Sequence, residues 1–192
     1  MAGVKRVGVL ALQGDFEAHS QALARVGAEA VEVRTAEQLD GVDGLILPGG
    51  ESTTMLKLLD EERLFEPLQR FGQERPVFGT CAGAILLATE VLHPAQRSLG
   101  LMDISVERNA YGRQLDSRIV RLQLGRLQNG GGDFEAVFIR APIIRRIGPN
   151  VSGLTFYRGT PVLVADGRHL VATFHPELTT DMRIHRLFVQ RI

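Results

Sequence analysis

The segment Gly79-Thr80-Cys81-Ala82-Gly83 constrains the fold more than any other part of the chain. Pro76 to Gly79 reads as a short apolar strand and Ala82 to Thr89 as a helix, so Cys81 must sit on the turn between them. Only small neighbours allow a strand to enter a helix so abruptly. The rest of the first half repeats the same alternation. Val7 to Leu12, Ala30 to Val33 and Gly44 to Leu47 are strand candidates. Phe16, His19, Leu23 and Val26 share one helical face that stops at Gly27, and Thr53 to Leu59 and Leu64 to Phe71 are further helices. This rhythm predicts an α/β fold, with a mostly parallel central sheet covered by helices on both faces as a three-layer sandwich.

The second half is richer in strands: Met102 to Glu107, Ile119 to Leu124, Ala136 to Arg140, Gly153 to Tyr157, Pro161 to Ala165 and His169 to Phe174. Asp166-Gly167 signals a tight hairpin with positive φ between the last two. Asn129-Gly130-Gly131-Gly132-Asp133 is the expected flexible loop. Ile184, Leu187, Phe188 and Ile192 form a helical stripe able to dock on the sheet. With 192 residues, no repeat and no linker, residues 1–192 are expected to form one domain.

The 22 basic and 22 acidic side chains cancel, so no global field favours nucleic acid or an anionic membrane. The single cysteine excludes an intramolecular disulfide and fits a reducing, cytoplasmic setting. The start, Met1 to Leu10, reads as a first strand rather than a signal peptide, and no apolar run reaches membrane-spanning length, so a soluble protein is expected.

Three segments can carry chemistry. Cys81 at a helix N-terminus has its thiolate favoured by the dipole and free N–H groups, and the Ala82 N–H can face an oxyanion; a buried structural cysteine is the competing reading. In Phe174-His175-Pro176-Glu177, residues two apart on an extended chain share a side. His175 can therefore take the Cys81 proton while Glu177 orients its ring, unless the segment is only a surface turn. Leu47-Pro48-Gly49-Gly50-Glu51-Ser52-Thr53 leaves a strand into glycines, and the Gly50 N–H is a second candidate oxyanion donor. A phosphate loop is disfavoured because its lysine is missing. Ser52 or Thr53 can also cap the following helix. His93, His169 and His185 are scattered and show no metal-ligand spacing, so neither metal nor redox cofactor is required. His19, on an apolar helix face, is expected to pack or bond locally, with a partner interface as the alternative.

In this order the three segments resemble the class I, triad-type glutamine amidotransferases. The finer match lies in Leu12-Gln13-Gly14-Asp15-Phe16, Pro48 to Met55, Gly79 to Gly83, Glu107 to Ser117, Phe138 to Pro142 and Phe174 to Thr179. There the chain is similar to the family of glutaminase subunits of pyridoxal 5′-phosphate synthases. The likeness runs from the first strand to the last helix and departs mainly at His93 to Ser98 and Gly130 to Gly132.

The resemblance implies a flavodoxin-like class I fold, with Cys81 as nucleophile, His175 as base and later acid, and Glu177 as orienting carboxylate. It implies glutamine contacts at Gly50, Glu51, Ser52, Arg108, Ile139 and Arg140, no cofactor, and a separate synthase subunit that takes the ammonia. A guanidinium suits the α-carboxylate of free glutamine and Glu51 its α-ammonium. The rivals are a glutaminase serving another enzyme, such as imidazole glycerol phosphate synthase, a cysteine peptidase, and a non-enzymatic binding module. Arg108 to Ser117 argues against the first, the charged residues around a free amino acid against the second, and the presence of all three triad candidates against the third.

Overall fold

The computed structural model describes residues 3–109, 117–125 and 132–192. Its centre is a seven-stranded sheet. Arg6–Leu10 (β1), Glu29–Val33 (β2), Gly44–Leu47 (β3) and Val77–Thr80 (β4) are joined by Ser152–Tyr157 (β10), Thr160–Ala165 (β11) and Leu170–Ala172 (β12), in the order β10-β11-β12-β4-β3-β1-β2. The run from β12 to β2 is parallel, and β10 and β11 add antiparallel strands at one edge.

Residue alternation within the strands divides the interior into two cores. Leu10, Leu45, Leu47 and Val77 face one side, which is covered by Ser52–Glu61 (α2), Phe65–Glu74 (α3) and Ala82–Leu87 (α4). Val7, Val9, Ile46 and Phe78 face the other, which is covered by Phe16–Arg25 (α1) and Arg183–Val189 (α5). The expected three layers are therefore present. Burying each large side chain such as Phe78, Phe174 or Phe188 contributes roughly 1.5–3 kcal/mol.

Two smaller sheets complete the molecule. Ala88–Leu92 (β5), Met102–Glu107 (β6) and Ile143–Ile147 (β9) form one, and Ser117–Gln123 (β7) with Asp133–Ile139 (β8) forms an antiparallel hairpin. Neither β5 nor β9 was expected. The helix after Cys81 stops at Leu87 rather than Thr89, because Ala88 to Leu92 pairs in parallel with β6, and tertiary pairing overrides local helix preference. In β9, Arg145 and Arg146 look like loop residues but pair with Glu107 and Asp103 on the neighbouring strand.

The turns also differ from expectation. Positive φ occurs at Arg158 and Gly159, between β10 and β11, which is the primed-turn signature. Gly167 has no such φ. β11 and β12 do form the expected antiparallel hairpin, but its turn is closed by the Asp166 N–H donating to the His169 carbonyl and by Asp166 Oδ1, which accepts from the Arg168 and His169 backbone N–H groups. Gly27 ends α1 with φ 81, as read from the sequence. Residues 129–131 of the glycine-rich segment, and 110–116 of the Glu107 to Ser117 motif, lie outside the described residues. Among the described residues no helix is long and apolar enough to cross a membrane.

Candidate active site

The parallel strands β1, β3, β4 and β12 all release their chains at one edge of the sheet, where ligand sites of open α/β folds form. Cys81 follows β4 with φ 50 and ψ −105, a conformation that strains any residue with a Cβ. Close packing holds it there. The Cys81 N–H donates to the Ala172 carbonyl of β12, and the Cys81 carbonyl accepts from Ala84. Gly79 and Gly83 touch so closely that a Cβ on Gly79 would lie 2.5 Å from the Gly83 oxygen, and one on Gly83 would lie 2.1 Å from the Leu47 oxygen. The small residues of the motif are thus required by backbone contact.

His175 leaves β12 through Phe174, and its backbone N–H is pinned by the Val137 carbonyl of β8. The antiparallel hairpin therefore helps deliver the histidine to the parallel edge. Pro176–Leu178 forms a 3-10 turn, which swings Glu177 under the ring; His175 Nδ1–H donates to Glu177 Oε1 at 2.7 Å. Burial alone would push His175 down, but hydrogen bonds and negative charge from Cys81 and Glu177 outweigh it and raise His175 to about 10. The Cys81 thiol donates to the Ile139 carbonyl at 3.8 Å, and its pull on His175 is that of a nucleophile beside its base. Gly49 packs against both: a Cβ there would come within 2.6 Å of His175 Cε1 and 3.4 Å of Cys81 Cβ.

Of the triad, oxyanion and glutamine-contact candidates, all but Glu177 line one cavity of about 260 Å³. Its lining includes Gly50, Glu51 and Ser52 from the loop after β3, Cys81 and Ala82 from the turn after β4, and Arg108, Ile139, Arg140 and His175. Glu177 stands behind His175 with its side chain fully buried. Gly50 has φ 139, open only to glycine, and Gln13 braces the loop by donating to the Glu51 carbonyl at 2.7 Å.

Helix α2 is capped by Glu51, not by Ser52 or Thr53 as expected. Its carboxylate accepts from the backbone N–H groups and hydroxyls of Thr53 and Thr54. Partial burial pushes the Glu51 carboxyl up, but those hydrogen bonds outweigh it and bring it to about 2. Arg108 lies 3.5 Å from Glu51, so the two charges assigned to opposite ends of a substrate face each other across the cavity wall. Ser52, buried, donates to Gln96. Arg140 follows β8 with φ 42 and lines the cavity.

Sequence reasoning assigned no role to Gly14, Asp15, Ile85 or Asn109, which also line the cavity; the Gln13-Gly14 break after β1 was the available signal. Asp15, His175 and Glu177 bring potential metal-ligand atoms within 4.8 Å of one another. The two buried members bond each other through Nδ1 and Oε1, which is the arrangement of a hydrogen-bonded pair.

A parallel α/β sheet, a cysteine on a strained strand-to-helix turn, and a histidine–carboxylate pair beside a charged cavity define the class of glutamine amidotransferases with the class I fold. The chain belongs to the SNO glutamine amidotransferase family, whose model it matches over residues 9–192. It is 60% identical to a pyridoxal 5′-phosphate synthase subunit PdxT from Solibacter usitatus, over 98% of this chain and 100% of that protein. The subunit of the same name from Thermotoga maritima is 50% identical over 97% of this chain and 99% of its own length. A solved glutamine amidotransferase structure, 49% identical, superposes with a TM-score of 0.89 over 98% of each chain. The structure of PurLQS from Thermotoga maritima, 15% identical with a TM-score of 0.72 over 98% of this chain and 99% of that one, shares the fold.

Proposed function

We propose that this chain is the glutaminase subunit of a cytoplasmic pyridoxal 5′-phosphate synthase, releasing ammonia from glutamine for a separate synthase subunit. The observation that carries the reading is a His175 ring bonded to the buried Glu177 and lining the same charged cavity as Cys81. In this mechanism the Cys81 thiolate attacks the amide carbon of glutamine, and the developing oxyanion is held by the Gly50 and Ala82 N–H groups. The His175 imidazolium protonates the leaving nitrogen, and ammonia departs. His175, now neutral, takes a proton from water as it attacks the thioester. Collapse returns that proton to the sulfur–imidazole pair and frees glutamate.

Arg108 and Arg140 are assigned to the α-carboxylate of glutamine, and Glu51, Ser52 and Ile139 to the remaining contacts. Glu51 keeps an accessible carboxylate face for the α-ammonium, since its side chain is 49% exposed despite its capping bonds. The relatives' shared name supports the synthase partner.

The test is a glutaminase assay with and without the cognate synthase subunit. The expected result is slow hydrolysis alone and strong stimulation by the partner, because glycine peptide units in the Gly49-Gly50 loop can reorient at little steric expense. Amide-labelled glutamine in excess unlabelled ammonium should then label pyridoxal phosphate. Full dilution of the label would refute internal transfer, and no hydrolysis under any condition would refute the glutaminase reading.

A further inference from the structure

Behind Glu177, on the side away from the cavity, lie two more buried histidines that the reaction does not use. His19 projects from α1 and His185 from α5, and both are fully excluded from solvent. Glu177 Oε1 receives the His175 hydrogen bond, whereas Oε2 is buried and has no conventional hydrogen-bond donor among the described residues. His19 Nε2 lies 3.5 Å from it. The same nitrogen lies 3.2 Å from Oγ1 of Thr80, the residue before the nucleophile. On its other side, His19 Nδ1 meets His185 Nε2 at 3.0 Å. His175, Glu177, His19 and His185 thus form one continuous line from the cavity into the core.

The protons on this line have a direction. Burial, with His185 and His175 nearby, pushes His19 well below the ordinary histidine range, and burial brings His185 to about 4. Each ring is therefore neutral near pH 7 and carries one N–H. If His19 held its proton on Nδ1, the Nε2 lone pair would face a buried carboxylate oxygen and leave it without a donor. With the proton on Nε2, that N–H reaches Thr80 Oγ1 at 3.2 Å and lies 3.5 Å from Oε2, and Nδ1 accepts from His185 Nε2–H. The buried atoms of this line without a conventional partner among the described residues are Glu177 Oε2, which that N–H approaches at 3.5 Å, and His185 Nδ1, a neutral lone pair. The charged and titratable groups near His19 include Glu177 and His175 from the β12 exit, His185 from α5, and Asp15 at the start of α1, whose carboxylate comes within 4.8 Å of the Glu177 and His175 side-chain atoms; β4 contributes Thr80 and the Phe78 ring edge.

We infer that His19 is a positioning residue for the glutaminase reaction, its Nε2–H holding the second oxygen of Glu177 so that the carboxylate stays fixed against His175, with His185 selecting the His19 tautomer. The inference rests on the glutaminase reading of the Cys81 site. A carboxylate with one oxygen tethered can rotate about its side chain; one with both oxygens engaged holds the His175 ring in register with the sulfur.

The test has two parts. In the unmodified full-length chain, ¹⁵N shifts of the histidine rings should show His19 protonated on Nε2 and bare on Nδ1, with the His19→Gln spectrum used for assignment. A proton on Nδ1 overturns the proposal whether or not the chain hydrolyses glutamine, and whether or not any variant folds.

In kinetics with the synthase subunit, His19→Leu should lower kcat about tenfold while KM for glutamine stays within about twofold. It should also slow Cys81 alkylation by iodoacetamide at neutral pH, a readout that needs no glutamine. His19→Gln, whose amide N–H reaches the same point as Nε2, should recover most of both losses. Equal activity of His19→Leu and the unmodified chain, or a His19→Gln variant as impaired as His19→Leu, would overturn the role. A complete lack of glutaminase activity in the unmodified complex, with the tautomer as expected, would overturn the glutaminase reading instead.

Discussion

The two sides of Glu177 hold histidines in opposite states. On the cavity side, burial of His175 is outweighed by two hydrogen bonds and two negative charges, and the group rises to about 10. On the core side, His185 meets no such charge and burial alone brings it to about 4. Burial by itself therefore does not decide what a histidine does in this fold; the charge placed within bonding distance does. One carboxylate faces both regions, and the chemistry belongs to the side where its charge is shared with a thiol.

The most severe way to break this comparison is to remove the thiol. Cys81→Ala should abolish glutamine hydrolysis while leaving thermal unfolding nearly unchanged, since it deletes only the sulfur atom. Substantial turnover by the pure variant, with saturating glutamine and partner, would remove Cys81 from the mechanism. His175→Asn should be almost as damaging because both proton transfers use that ring. Glu177→Gln should do less harm, changing charge and orientation while leaving the acid–base group in place, and the reverse order in steady-state kcat/KM would overturn the assignment.

A smaller effect is expected further from the sulfur on the cavity side. Arg108→Ala or Arg140→Ala should raise KM for glutamine with little change in kcat, a loss of about 1.5–3 kcal/mol for a charge-assisted contact. Arg108 also balances Glu51 across 3.5 Å, so its removal should be the more disruptive of the two. Unchanged KM and kcat in both variants would move the glutamine pocket elsewhere.

The cavity side was far more legible in the sequence than the core side. Cys81, Gly50 and His175 sit in short motifs whose chemistry is local: a strained turn, a glycine loop, two residues on one side of an extended strand. His19 and His185 are separated by 166 positions, and their contact exists only because α1 and α5 pack on the same face of the sheet. The strands β1, β3 and β6 could be read from apolar runs, but β5 and β9 depend on partners in the small sheet. The Ala82 to Thr89 run is as good a helix as Leu and Ala can write, and it ends early because Ala88 is taken up by β6. Likewise Asp166-Gly167 carries a hairpin signature, while the turn with two positive φ values uses Arg158, which no turn rule favours.

The smallest expected effect tests the core side alone, through the pH dependence of stability. The sign follows from where His185 takes up its proton: near the ordinary histidine range when unfolded, but only at about 4 when folded. Between those values the unfolded chain binds more protons than the folded one, so stability present above the unfolded value is lost as pH falls towards the folded value. His19, lowered in the same direction, adds to this loss. His175 behaves oppositely, since its contribution is complete below the unfolded value and disappears as pH rises through about 10. Denaturant unfolding of the unmodified chain should therefore show a loss on acidification from about pH 7.5 to about pH 5, of which His185 supplies about 1–2 kcal/mol. His185→Gln removes that titrating group while keeping a side-chain donor for His19, and should flatten the acid limb without moving the alkaline one. An acid limb of unchanged slope in the variant would mean that His185 is protonated in the folded chain, and the contrast between the two sides of Glu177 would fail.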